Sequence, residues 1–194
     1  MASAVLNATH ECERPSRRMV LGGTTGMIVM SGMFLAAAGC EPPAAPVDAG
    51  IEIVRIGDRD FKLELSLSRE RRRIGLGGRT TLADDEGMLF AFPRAESQRF
   101  WMYDCLMDID IAYLDPIGYV TAVHTMRKEP PRRPDEDELD YQARLPGYPS
   151  LYPAQFVIEL APGMFDRLGI EAGDRIEIDA DRLKMLGEAS EDEF

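Results

Sequence analysis

The chain has 194 residues, 34 acidic side chains against 22 basic ones, a formal charge of −12 and a 45% hydrophobic composition with three cysteines. That length allows one domain with a substantial core once a leader is set aside. The acidic balance argues against nucleic acid or an anionic membrane surface as a partner.

Residues 1–40 read as an export signal. Arg17-Arg18 opens it, an apolar run from Met19 to Gly39 follows, and Ala36-Ala37-Ala38-Gly39 precedes Cys40, an order of basic, apolar and small residues that ends on a thiol suited to lipid attachment. The start resembles a twin-arginine signal and the end a lipoprotein cleavage box without its usual leucine. An uncleaved anchor is the rival reading, because 21 residues approach the roughly 20 that cross a bilayer. Either way the domain is expected to be exported, on the cell membrane or as an outer-membrane lipoprotein, with its body in the periplasm or outside the cell. Cys12 and Cys40 then belong to the leader and its lipid site. Cys105 is left without a partner and reads as a small buried hydrophobe rather than a nucleophile.

Residues 41–50 carry three prolines and predict a flexible tether. A single domain is expected over 51–180. Alternating or β-branched segments at 51–56 and 61–67, separated by Gly57-Asp58-Arg59-Asp60, predict a hairpin. Ser68 is a natural N-cap for a short helix through Leu76, stopped by Gly77-Gly78. Short apolar strands are expected at 87–92, 99–103, 109–114 and 119–126. Residues 127–147 lose apolar periodicity, hold Asp135-Glu136-Asp137-Glu138, and predict a solvated acidic loop. A strand at 155–160, a helical turn at 163–168 and a strand at 174–179 close the domain, and 181–194 read as a charged tail. The fold class is α+β and β-dominated: a small curled sheet or barrel of short strands with one or two short helices.

Certain stretches carry a family likeness: Arg73-Ile74-Gly75-Leu76-Gly77-Gly78-Arg79, Glu86-Gly87-Met88-Leu89-Phe90-Ala91-Phe92, Phe100-Trp101-Met102, Val157-Ile158-Glu159-Leu160, Gly169-Ile170 and Gly173-Asp174. Their order over residues 61–178 resembles the bacterial and archaeal domain of unknown function family numbered 192. The resemblance implies a small mixed fold dominated by a sheet or barrel, usually secreted or membrane-anchored, with no established activity. Where such proteins follow Phe-Trp-Met with one residue, Asn-Thr, two residues and Pro-Leu-Asp, this chain has Asp104 and Asp108 in place of asparagine and proline, ahead of Asp110.

The candidate site is therefore Arg79, Trp101, Asp104, Asp108 and Asp110. An indole face suits a sugar or ring, carboxylates suit hydroxyls, and a guanidinium suits an anion. Two of the aspartates could serve as acid and base in saccharide hydrolysis. The structural alternative makes Trp101 and Met102 core, Asp104 a turn former and Asp110 the partner of Arg79. No metal or cofactor is expected, since His124 is the only imidazole past the leader and no ligand spacing appears. The expected activity is binding of a small polar ligand or an envelope protein partner rather than catalysis, with a saccharide hydrolase as the alternative.

Overall fold

A computed structural model describes residues 50–190. The export signal, Cys40, tether residues 41–49 and the last four residues of the expected tail lie outside that range. Strands β1 (Ile51–Ile56) and β2 (Arg59–Ser66) pair antiparallel across Gly57-Asp58. Gly57 has φ +59°, the positive φ that a two-residue hairpin loop favours at its first position. Helix α1 (Arg69–Ile74) is capped by the Ser68 hydroxyl, which accepts the Arg71 N–H, and it ends on Gly75. α1 leads over to β3 (Glu86–Glu96), parallel to β2. The short strand β4 (Arg99–Trp101), then β5 (Ile109–Leu114) and β6 (Val120–Met126), follow. After α2 (Glu138–Arg144), β7 (Gly147–Pro149) pairs with β4, and β8 (Ala154–Leu160) inserts between β3 and β5. Helices α3 (Met164–Leu168) and α4 (Ala180–Ala189) close the chain. The main sheet runs β1-β2-β3-β8-β5-β6.

Every residue of β5 and β8 is buried, the pattern of strands covered on both faces. One face carries Leu63, Leu89, Ala112, Ile158 and Leu160 against Met164 and Phe165 of α3 and Leu183 of α4. The other carries Met88, Phe90, Ile111, Tyr113 and Val157 beneath Leu76, Met102 and the β4–β7 ribbon. Phe100 fixes that ribbon by meeting Phe90 and Tyr113 edge-on, at 5.1 and 5.7 Å between centroids.

The β-dominated curled sheet is as the sequence predicts, but three segments differ. The acidic run is partly helix: Asp137 caps α2 by accepting the Asp140 N–H, Tyr141 is buried, and Glu136 is enclosed beside Arg144 at 2.7 Å. The segment 174–179 forms only a bridge, Tyr119 to Arg175, beside the start of β6. Residues 180–189 are a core helix rather than a charged tail, because Leu183 and Gly187 fall on one face and are buried. Among the described residues four short helices stand where one or two were expected. None of the helices described is long and apolar enough to cross a membrane.

Candidate functional site

Register places Glu64, Met88, Glu159 and Ile111 side by side across β2, β3, β8 and β5, all on the face beneath α1. An apolar residue would be expected at the third position of that row. Glu159 is only 4% exposed, and its Oε2 has no hydrogen-bond partner. Burial pushes its carboxyl up to about 8, while the Leu76 backbone N–H and the charge of Arg79 pull the other way. The group is therefore mostly neutral at pH 7 and can donate a hydrogen bond.

Above it opens a cleft of about 250 Å³, walled by the C-terminal end of α1, by β4 and by Phe92, Tyr103 and Cys105. Gly75, at φ +55°, stands over Glu159 and Phe90, where a Cβ would come to 3.5 Å from Oε2. Alternation along β4 sends Phe100 into the core and leaves Arg99 and Trp101 together on the opposite face. Trp101 is 48% exposed on the cleft wall. Arg99 lies across Gly147 of β7, so closely that a Cβ there would fall 1.7 Å from its Nε.

Most of the arginines near the cleft are committed. Arg79 grips Glu64 with both terminal guanidinium nitrogens, Nη1 and Nη2, at 2.8 Å, and Arg71 joins the same carboxylate at 2.7 Å. These contacts, that of Arg79 above all, hold the Glu64 carboxyl below its usual value. Arg73 pairs with Glu70, and Arg72 lies 5.1 Å from the Phe92 ring centre while donating to the Leu67 and Ala91 carbonyls. Arg69 and Arg99 also line the cleft, and among the described residues neither has an ion-pair partner. Burial pushes the Cys105 thiol up to about 12, which keeps it protonated and poorly nucleophilic.

The sequence-predicted residues are dispersed. Trp101 lines the cleft, whereas Arg79 lies outside its lining and pairs with Glu64 rather than with Asp110. Asp104, at φ +51°, faces a second cavity of about 320 Å³ with Lys128, Pro130 and Tyr141. Its N–H donates to the Tyr141 hydroxyl and its carbonyl accepts from Gly78, so the bend ties the segment after α1 to α2. Asp108 accepts the Lys128 N–H at 2.9 Å and the Arg127 guanidinium at 2.7 Å, and both lower its pKa. Asp110 lies on the other face of the sheet, accepting from the Thr125 hydroxyl at 2.8 Å and the Phe165 N–H at 3.2 Å. The three aspartates share no pocket, and among the described residues no His, Cys, Asp or Glu cluster could hold a metal. Sequence reasoning passed over Glu159, Arg69 and Arg99. The available signal was a single carboxylate inside the apolar run Phe156-Val157-Ile158-Glu159-Leu160.

Residues 52–178 match the DUF192 family, described as an uncharacterized ACR, and the chain belongs to that family. Nothing matches among curated proteins. Two solved structures are similar. A proposed transcription regulator from Sinorhizobium meliloti is 28% identical with a TM-score of 0.56, over 69% of this chain and 97% of its own. A protein of unknown function from Novosphingobium aromaticivorans is 27% identical with a TM-score of 0.56, over 76% of this chain and all of its own.

Proposed function

We propose that this DUF192 domain is a binding module held at the cell envelope, taking a small polar ligand in the cleft over Glu159. The observation that carries the reading is the unpartnered Oε2 of a buried glutamate on the cleft floor. Leaving such a group unsatisfied costs about 1–3 kcal/mol, and a ligand oxygen that accepts a hydrogen bond from the acid would remove that cost. Trp101 offers a ring face beside it. Binding is favoured over hydrolysis because among the described residues the cleft has no second free carboxylate: Glu64, the other acid of the row, is engaged by Arg71 and Arg79. The leader supplies the location, through a lipid on Cys40 or an uncleaved anchor, with residues 41–50 as the tether.

A thermal-shift screen of polar metabolites and cell-wall fragments tests the reading. A ligand at ~100 times its Kd adds about 2.7 kcal/mol, which is roughly 5–10 °C for a domain of this size. The shift should vanish in Glu159→Leu, which fills the site without a polar group, and shrink in Trp101→Ala. Variants that melt cooperatively yet keep the full shift would refute the cleft. A flat screen, with an envelope protein crosslinking elsewhere on the surface, would favour a protein partner instead.

A further inference from the structure

The cleft contrasts with the rest of the molecule. Past residue 40 the chain holds 32 acidic against 19 basic residues, yet the cleft is lined by Arg69, Arg72, Arg73 and Arg99, and the one carboxyl among its described lining residues, Glu159, is buried. Arg73 and Arg72 are occupied by Glu70, Phe92 and backbone carbonyls. Arg69 and Arg99 are not so occupied. Arg99 is also seated: the missing side chain at Gly147 is what gives its guanidinium room, and the Trp101–Gly147 pairing holds that gap beside the indole. A positioned guanidinium matches the planar geometry of a carboxylate or phosphate, and charge-assisted hydrogen bonds of this kind are roughly twice as strong as neutral ones.

Resting on the cleft reading above, we propose that the ligand is a small ring-bearing oxyanion of the sugar phosphate or sugar acid class. Arg99 and Arg69 pair with the oxyanion, the Trp101 indole covers the ring, and the Glu159 acid donates a hydrogen bond to one of its oxygens. A neutral sugar would leave two guanidiniums unused. A bare phosphate would leave the indole and the floor unused.

Binding should consume no charge at Glu159, so affinity must follow its protonated fraction. The groups acting on it electrostatically are Arg79 after α1, Cys105 before β5 and Tyr113 on β5, together with the arginines of the lining. Burial raises both the Cys105 thiol and the Tyr113 hydroxyl, and arginine stays protonated throughout. Between pH 7 and 9 only Glu159 among them titrates.

Trp101 is the single tryptophan of the chain, so intrinsic fluorescence of the purified protein reports directly on the cleft. The probes are glucose 6-phosphate, glucuronate, glucose and inorganic phosphate at pH 7. The expected result is saturable binding of glucose 6-phosphate or glucuronate at least ten times tighter than that of glucose or inorganic phosphate, and the better of the two assigns the oxyanion. Arg99→Gln and Arg69→Gln should each weaken that probe about tenfold or more. Gly147→Ala should weaken it as well by displacing the Arg99 guanidinium, with no change in charge. Raising the pH to 9 should weaken binding about tenfold in the wild type and leave Glu159→Gln unchanged, because its amide still donates and cannot ionise. Equal affinity for glucose and glucose 6-phosphate, insensitive to Arg99→Gln, overturns the oxyanion class while the cleft stands as a binding site. Equal affinity for inorganic phosphate overturns the ring. Silence from all four probes also overturns the class, and the broader screen with Glu159→Leu then decides the cleft.

Discussion

Replacing Glu159 with Gln isolates the energetic consequence of burying a carboxyl that has one oxygen unpartnered. In the folded domain burial raises this group to about 8, against an ordinary value of 4.5. Below pH 4.5 the group is protonated in both folded and unfolded chains, and its contribution to stability is fully present. As pH climbs, the unfolded chain releases the proton while the native state keeps it, so stability falls by about 1.4 kcal/mol per pH unit until the native group ionises near 8. Gln cannot ionise and escapes this slope. Between pH 5 and 7.5 the advantage of Glu159→Gln over the wild type should therefore grow by roughly 3 kcal/mol, or roughly 6–12 °C in Tm. Urea melts of both proteins across that range measure it, and taking the difference cancels every other titrating group that the two share. A difference that changes by less than about 1 kcal/mol would mean that Glu159 is hydrated or paired in solution, and the argument for an orphaned acid on the cleft floor would collapse.

Arg144→Ala should release the segment 127–147. Arg144 grips Glu136 and the Pro130 and Pro131 carbonyls, and Arg144 with the Arg133 N–H holds the Glu136 carboxyl down at about 2. In the wild type this brace is present above pH 4.5 and fails as pH falls toward 2, so hydrogen exchange across α2 should accelerate in that window, and at neutral pH only in the variant. Leu183→Ala should cost about 2–4 kcal/mol in urea melts if α4 belongs to the core, and under 1 kcal/mol if the segment is a mere tail. Cys105 should resist alkylation in the native protein at pH 8 and react quickly in urea, with Cys105→Ala as control. Fast native labelling would show an accessible thiolate.

The sheet was legible because its strands announce themselves locally. Ile109–Leu114 is the span expected from the sequence, and the hairpin follows from alternation around Gly57. α4 was readable in principle from Asp179 as N-cap with Leu183 and Leu186 on one face, but its density of charge suggested a tail. The aspartates show a harder limit. Asp104, Asp108 and Asp110 sit within seven positions of one another, yet β5 starts at Ile109 and turns Asp110 toward α3, away from the cleft. Sequence proximity around a bend fixes no face. Glu159 is hidden for the converse reason: its burial is imposed by β3 and β5, which flank it from 71 and 48 positions upstream in the register pairs Met88 and Ile111.

The two faces of the sheet differ in how completely their buried polar groups are satisfied. On the face closed by α3 and α4, the buried carboxylate Asp110 has both oxygens bonded, to the Thr125 hydroxyl and the Phe165 N–H. Among the described residues the two buried side-chain atoms without a partner, Ser66 Oγ and Glu159 Oε2, both belong to the other face, since Ser66 shares its register row with Phe90 and Val157. The cover there is thin. α1 has six residues and none is buried, too short to persist on its own helical propensity, so its seat depends on the Ser68 cap, the Arg71–Glu64 pair and Arg72 on the Phe92 ring. Among the described residues the thick cover leaves Asp110 fully bonded while the thin one leaves Ser66 Oγ and Glu159 Oε2 unsatisfied, and of these two only Glu159 lines the cleft, so its cost is the one a ligand in that cleft would relieve.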